Sequence, residues 1–323
     1  MTATTAPAGA PGLRSSSETW GRMAAIGLVV LLLAAPFGIY PVFLMKLMCF
    51  ALFAAAFNLL IGYVGLLSFG HAAFFGTGAY ISAHAAKVWQ LDPLLCVVLG
   101  GLAGGALGVL VGYLAIKRKG IYFSMITLAL SQMVFFIALQ APFTGGEDGI
   151  QGIPRGLLFG VIDLNQPMNM YGFVLVIFLF GMFALWRIVH SPFGQILKAI
   201  REHEPRAISL GYDVNRYKLI AFVISAALAG VAGGAKTLVF QLASLTDITW
   251  QMSGEVVLIT LLGGIGTMLG PVVGALIVVS LENYLAALDF PVTVLIGAIF
   301  VACVLLFRRG VVGEIEHALG RRG

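Results

Sequence analysis

The feature that most constrains this chain is a series of long apolar runs, which together cover most of its 323 residues. A helix needs about 20 consecutive apolar residues to cross the hydrocarbon core of a bilayer. The runs are continuous rather than alternating, so they favour membrane-spanning helices over the strands of a β-barrel. Because 60% of the residues are hydrophobic and 10% are charged, the chain is predicted to be an all-α, polytopic membrane protein.

The length rule predicts about ten transmembrane helices. They are expected near residues 23–40, 42–62, 64–86, 93–116, 121–140, 170–189, 218–241, 253–265, 271–288 and 291–307. The eighth run is short and ends in glycine, so a tilted or partly re-entrant helix is expected there. The predicted organisation is a disordered cytoplasmic N-terminus (1–22), a transmembrane domain (23–307) with an external loop (141–169) and a cytoplasmic segment (190–217), and a cytoplasmic C-terminal tail (308–323).

The distribution of lysine and arginine indicates how the chain is oriented in the membrane. With ten spans and both termini in the cytoplasm, all but four of the 19 basic residues lie on the cytoplasmic side. The four exceptions are Lys46, Lys87, Arg155 and Lys236. Because positively charged loops are retained inside the cell, the sequence predicts that both termini are cytoplasmic.

The segment 190–217, called the basic segment below, is a polar stretch between two long apolar runs. Pro192 suits the first turn of a helix, after which apolar residues recur at helical spacing. Pro205 ends that helix and starts a second one, which Gly211 is placed to cap. Two short amphipathic helices beneath a membrane domain are typical of a docking surface, with a solvated loop as the alternative.

Four glycines spaced four residues apart run along the fourth predicted span. Gly100, Gly104, Gly108 and Gly112 lie on one helix face, where the absence of side chains lets a neighbouring helix approach closely. The alternative is that glycine is simply common in membrane helices. The regular spacing favours a tight contact between helices.

Motifs for nucleotide binding or hydrolysis are absent from the sequence. No G-x-x-x-x-G-K-[ST] loop appears, so the chain is not expected to bind ATP itself. No HExxH or GxSxG motif appears, which leaves no constellation for a hydrolase. Cys49, Cys96 and Cys303 stand singly in apolar runs, which makes a CxxC metal site implausible. The chain is therefore expected to be neither an enzyme nor a metal-binding protein.

Four motifs follow one another along residues 40–310. The first is Asn58–Tyr80, which contains Gly-Tyr-Val-Gly-Leu-Leu-Ser-Phe-Gly-His. The others are the loop Thr144–Pro154, the segment Ser191–Gly211 and the glycine-rich Gly263–Ala275. Together the four motifs resemble those of branched-chain amino-acid ABC permeases of the LivM type. One departure is Glu-Pro-Arg-Ala from position 204, where a plainer EAA-like box is expected.

The resemblance implies one membrane subunit of a binding-protein-dependent importer in the bacterial cytoplasmic (inner) membrane. The expected partners are a second homologous permease subunit, two cytoplasmic ATPase subunits, an external solute-binding protein, the amino-acid substrate and the lipid bilayer, but no nucleic acid. The chain is expected to hold no cofactor, because ATP and Mg²⁺ are bound by the ATPase subunits. The basic segment then couples to the ATPase, and the expected contacts are Ile200, Arg201, Glu202, Glu204, Arg206, Ile208, Leu210 and Gly211.

Polar residues in or beside the predicted spans are candidates for the translocation path, because such side chains tend to face a protein interior or an aqueous cavity. The candidates are Asn58, Ser68, His71, Thr127, Ser131 and Gln132. Hydrogen bonding between helices is an equal alternative for each of them. In the external loop, Glu147 and Asp148 are expected to face the binding protein, with an ordinary exposed loop as the alternative.

Four charged residues lie in the outer halves of predicted spans, namely Lys46, Lys236, Glu255 and Glu282. Together they could form a vestibule for a zwitterion, whose carboxylate and ammonium groups each need a partner of opposite charge. Snorkelling of each side chain to the nearby interface explains the same pattern at least as well.

Other functions remain as alternatives at this point. A secondary transporter would carry ion-coupling carboxylates near the centre of a span, and the sequence has none there. A channel or a membrane scaffold would need no ATPase partner. Within the ABC importer class, the predicted substrates are leucine, isoleucine and valine, with urea, short amides or other amino acids as the alternative.

Overall fold

The computed structural model describes residues 27, 31–285, 294, 297–298, 301 and 310–318. The predicted N-terminus (1–22), residues 23–26 and 28–30 of the first predicted span (23–40), most of the tenth predicted span (291–307), and the predicted tail apart from 310–318 lie outside the described residues. The statements below concern the described part of the chain.

Helices dominate the described chain. They are α1 (Pro41–Asn58, continued by the π-helical turn Leu59–Val64), α2 (His71–Lys87), α3 (Pro93–Ala115), α4 (Ile121–Gln140), α5 (Pro167–Val189), α6 (Pro192–Glu202), α7 (Glu204–Ser209), α8 (Val214–Phe240), α9 (Trp250–Gly263), α10 (Gly270–Leu285) and α11 (Gly310–Ala318). Four two-residue strands accompany them: β1 (Ile150–Gln151), β2 (Leu157–Leu158), β3 (Ile162–Asp163) and β4 (Leu242–Ala243). β1 pairs with β4 and β2 with β3, both antiparallel. The chain is thus an all-α membrane protein.

Five of these helices are long and apolar enough to cross a membrane: α1 with its π-helical turn, α3, α4, α5 and α8. α9 has 14 residues and is about 21 Å long, shorter than the hydrocarbon core, as the short eighth run suggests. The predicted third span (64–86) begins too early. α1 runs on to Val64, and Gly65 then takes a left-handed φ of +80° that ends the helix.

α8 lies at the centre of the fold and packs against α1, α2 and α3. The glycine face of α3 meets it: a Cβ added at Gly104 would lie 2.7 Å from the carbonyl oxygen of Ala226. A Cβ added at Gly112 would lie 2.8 Å from a methyl carbon of Leu219. Gly108 faces α8 in the same way, whereas a Cβ added at Gly100 would lie closer to Ser82 and Gly78 of α2 than to Gly230 of α8. Membrane helices gain little from the hydrophobic effect against one another, so this close backbone packing holds them together.

Candidate functional site

The basic segment folds into two short helices, as its sequence predicts. α6 begins at Pro192, and the hydroxyl of Ser191 accepts a hydrogen bond from the Gly194 N–H in its first turn. α7 follows after one linking residue, with Pro205 in its first turn. Gly211 has a left-handed φ of +86° just after α7, the conformation in which glycine commonly ends a helix. Both predicted helices and the predicted cap are confirmed.

Ile200 is buried inside the chain, which corrects its prediction as a contact to the ATPase. Its side chain is 3% exposed and packs with Ala207 and Val214 in a small apolar cluster. α7 and the start of α8 therefore cover this face of α6. An amphipathic pattern indicates that one face of a helix is buried, but not which surface covers it.

Glu204 is also engaged within the chain rather than free for a partner. Its two carboxylate oxygens pair with Nζ of Lys119 at 3.0 Å and with Nζ of Lys218 at 3.1 Å. Burial alone would raise the pKa of Glu204, but the hydrogen bonds and charges of both lysines outweigh burial and lower that pKa. The two pairs fasten α7 to the α3–α4 connection and to α8.

Arg201 connects α6 to the end of α1. Its Nη1 donates a hydrogen bond to the carbonyl oxygen of Gly62, within the π-helical turn. The last carbonyls of a helix lack partners in the helix itself, and a cation is favourable at that end. Lys198 adds a second contact, with its Nζ 5.8 Å from the ring centre of Tyr63. Arg201 and Lys198 therefore attach α6 to the end of α1.

The outward surface of the basic segment combines apolar and charged side chains. Ile208 is 54% exposed and Leu210 is 69% exposed. Glu202, Arg206 and Gly211 are exposed as well. Exposed apolar side chains with polar neighbours mark surfaces that contact other proteins. The surface formed by Glu202, Arg206, Ile208 and Leu210 is called the docking face below.

Asn58, a predicted path residue, holds α1 to the turn between α9 and α10. Its Nδ2 donates to the carbonyl oxygen of Thr267 at 2.8 Å, and its Oδ1 accepts from the Gly266 N–H at 2.9 Å. The amide thus binds backbone groups that lie more than 200 residues away in the sequence. Asn58 fits the alternative interpretation, in which the polar group connects structural elements.

Ser68 and Thr127 also have partners close to them. The Gly70 N–H donates to Ser68 Oγ at 3.3 Å beside the start of α2. Thr127 Oγ1 donates to the carbonyl oxygen of Ser124 at 2.9 Å within α4. Both side chains are buried, and these local bonds account for their polarity without a substrate.

His71, Ser131 and Gln132 keep unpaired polar atoms. Nε2 of His71 lies 2.8 Å from Ser225 Oγ, and three phenylalanine rings surround the imidazole edge to face. Within residues 31–285, the His71 Nδ1, the Ser131 Oγ and the Gln132 Nε2 are buried without a hydrogen-bond partner. These three of the six predicted path residues therefore retain free hydrogen-bonding capacity.

Glu147 and Asp148 lie together in a short 3₁₀ turn of the external loop, and both are exposed. The loop around them is anchored to the ends of the helices. Arg155 Nη2 donates to the carbonyl oxygen of Val239 at 2.8 Å, and Lys87 Nζ donates to that of Gln151 at 2.8 Å. The two acids thus lie on a loop that is attached to α2 and α8; that this loop is external stays a prediction.

The charged residues in the outer halves of the helices form pairs rather than snorkelling separately. Lys46 Nζ on α1 lies 2.9 Å from Glu282 Oε2 on α10. Lys236 Nζ on α8 lies 2.8 Å from both carboxylate oxygens of Asp247. Asp247 is 1% exposed. Sequence alone does not single it out, because an acid in an external loop is normally solvated.

Three relatives are similar to most of this chain. The high-affinity branched-chain amino acid transport system permease protein LivM of Salmonella typhimurium is 30% identical over 73% of this chain and 61% of its own length. LivM of Escherichia coli is 29% identical over 72% of this chain and 60% of its own length. The autoinducer 2 import system permease protein LsrC of Photorhabdus laumondii is 27% identical over 65% of this chain and 62% of its own length. The matched part of the chain thus spans about three fifths of the length of these relatives.

The family comparison covers most of the described structure. No solved structure matches the chain. The family model described as the branched-chain amino acid transport system / permease component matches residues 39–307. This range includes every helix from α1 to α10, and with them the basic segment and the paired outer charges. The chain therefore belongs to the family of branched-chain amino acid transport system permease components.

Proposed function

We propose that this chain is the permease subunit of a binding-protein-dependent ABC importer for branched-chain amino acids. The observation that carries the proposal is the docking face, an apolar and charged surface on a segment fastened to the membrane domain. The names of the LivM relatives support the substrate class. The proposed partners are a second permease subunit, two ATPase subunits that bind ATP and Mg²⁺, and an external solute-binding protein.

The proposed arrangement has about ten spans, with both termini on the cytoplasmic side of a bacterial inner membrane. The positions of the charged residues support this orientation. Lys119 and Lys218 meet at Glu204 at the same end of the molecule as the basic segment. Lys46 and Lys236 form their pairs at the other ends of α1 and α8. A concentration of basic residues on one side is typical of the cytoplasmic side.

In the proposed mechanism, ATP-driven closure of the ATPase subunits displaces the docking face. Arg201 passes that displacement to Gly62 at the end of α1. Gly62 packs closely against the turn between α9 and α10: a Cβ added at Gly62 would lie 2.7 Å from the Gly266 nitrogen. Asn58 bonds to the same turn. A contiguous series of contacts therefore links the basic segment to α1, α9 and α10.

The proposal is tested by uptake of labelled leucine and urea into vesicles that carry this chain with its partner subunits, with and without ATP. ATP-dependent leucine uptake is the expected result. ATP-dependent uptake of urea without leucine would keep the importer class and change the substrate. Uptake that ignores ATP and follows an ion gradient would contradict the proposal in favour of a secondary transporter.

A further inference from the structure

Five charged side chains from five elements form one group in the outer half of the helices. This group, called the outer charge network, consists of Lys46 on α1, Lys236 on α8, Asp247 in the 3₁₀ turn before α9, Glu255 on α9 and Glu282 on α10. Glu255 lies within hydrogen-bonding reach of Glu282 and within electrostatic reach of Lys46 and Asp247. Charged groups inside a membrane protein are costly, so such a group is expected to have a function.

Glu255 is the surplus carboxylate of the network. Both lysines already have carboxylate partners, Glu282 for Lys46 and Asp247 for Lys236. Within the described chain, Glu255 Oε1 is buried without a hydrogen-bond partner. Three carboxylates thus share two ammonium groups. Because a buried charge without a partner is strongly unfavourable, an ionised Glu255 would need a cationic group beside it.

A second unpaired polar group faces the same network. The hydroxyl of Tyr80, whose side chain is 3% exposed, has no hydrogen-bond partner among the described residues. It lies within electrostatic reach of Asp247. The backbone of Asp247 packs against Gly76, one turn earlier on α2, where an added Cβ would lie 3.1 Å from the Asp247 carbonyl oxygen. Among the described residues, the network therefore has unused hydrogen-bonding capacity at Glu255 and at Tyr80.

Lys46 also lines a cleft of about 360 Å³. Its lining includes Lys46 and the rings of Phe43, Tyr40 and Phe240. Phe240 also contacts the second lysine of the network: Lys236 Nζ lies 5.8 Å from the centre of the Phe240 ring. A cleft of this size suits a small molecule. Its aromatic rings and the ammonium group of Lys46 suit a solute with an apolar side chain and a carboxylate.

We propose that the outer charge network binds the zwitterionic head group of an amino acid, with Glu255 receiving the ammonium group and Lys46 the carboxylate. Lys46 exchanges Glu282 for the carboxylate of the substrate, and the released Glu282 joins Glu255 around the ammonium group. The aromatic rings of the cleft contact the apolar side chain. This inference rests on the proposed function, which supplies the amino-acid substrate.

The test is the thermal unfolding of the purified complex, without the binding protein, in the presence of three related compounds. These are leucine, 3-methylbutylamine (which lacks the carboxylate) and 4-methylpentanoate (which lacks the ammonium group). Leucine is expected to raise Tm by about 2–4 °C. The amine is expected to raise it less, and the acid not at all. An acid that stabilises as well as leucine, or leucine without any effect, would overturn the inference.

Two substitutions sharpen the test. Glu255→Gln is expected to abolish the leucine shift, whereas Asp163→Asn, which removes a half-buried carboxylate outside the network, is expected to keep it. If Glu255→Gln does not fold, Lys46→Met serves instead and is expected to lose the response to leucine but not to the amine. A full leucine shift in either network variant would overturn the inference. The two failures can be told apart. Failure of the proposed function appears as uptake that does not depend on ATP, whereas failure of this inference appears in the thermal unfolding.

Discussion

At the scale of single residues, two arginines five positions apart have different environments. Arg201 donates to the backbone of α1 at Gly62. Arg206 is exposed on α7, and its side chain belongs to the docking face. Residue type and position in the basic segment are alike, so the difference lies in what each side chain contacts. The two roles can be separated experimentally.

We expect Arg201→Ala to lower the free energy of unfolding by about 1–2 kcal/mol, because it leaves a helix-end carbonyl without its charged donor. Arg206→Ala is the matched control and is expected to change the free energy of unfolding by less than about 0.5 kcal/mol. Binding to the ATPase subunits is expected to weaken in Arg206→Ala. Chemical denaturation of both variants and copurification with the ATPase measure these effects. Equal destabilisation by the two substitutions would contradict the assigned roles.

The ion pairs of Glu204 predict a dependence of stability on pH. Because both lysines lower the pKa of Glu204 in the folded protein below its ordinary value of 4.5, the ionised carboxylate stabilises the fold. This contribution is fully present above pH 4.5 and is lost as the pH falls through the lowered folded-state value. Tm of the wild type is therefore expected to fall toward that of Glu204→Gln on acidification. A constant difference between the two across this range would argue against the pairs.

At the scale of helices, glycine determines how closely α3 approaches α8. We expect Gly104→Ala to destabilise the protein by about 1–3 kcal/mol, because its added Cβ would lie 2.7 Å from the Ala226 carbonyl oxygen and force the helices apart. Gly172→Ala on α5 is the control, since a Cβ there meets nothing within 4 Å. Thermal unfolding in detergent compares the two. Equal effects would show that helix propensity, rather than packing, determines the outcome.

Local sequence signals predict the helices of the basic segment well and their surroundings poorly. Pro192, Pro205 and Gly211 mark where α6 and α7 begin and end, because these residues restrict or free the backbone locally. The same signals do not show that Ile200 is covered by its own chain. Burial depends on which element packs opposite, and the apolar pattern on a helix is the same for an internal and an external partner.

Pairs between distant residues are beyond what the sequence predicts. Lys46 and Glu282 are 236 positions apart, and each alone is compatible with snorkelling to the interface. From the sequence, Asn58 is a candidate for the translocation path, yet its side-chain amide binds the backbone at Gly266 and Thr267. In both cases the polar residue type is evident from the sequence, but its role depends on the tertiary fold.

At the scale of the whole molecule, the two candidate sites lie at opposite ends of the same helices. The docking face is linked to the end of α1 at Gly62, whereas Lys46 lies near the beginning of α1. α1 is also the most completely buried of the candidate spans. One packed helix, α1, therefore connects the docking face with the outer charge network.

The most direct measurement of the central claim is the rate of ATP-dependent leucine uptake by the reconstituted complex. We compare the wild type with the double variant Ile208→Asp/Leu210→Asp, which places two charges on the exposed apolar part of the docking face. The expected result is ATP-dependent leucine uptake in the wild type and at least about a tenfold loss of uptake in the variant, with its fold and membrane insertion intact. Wild-type uptake that ignores ATP, or a variant that imports leucine normally, would contradict the account.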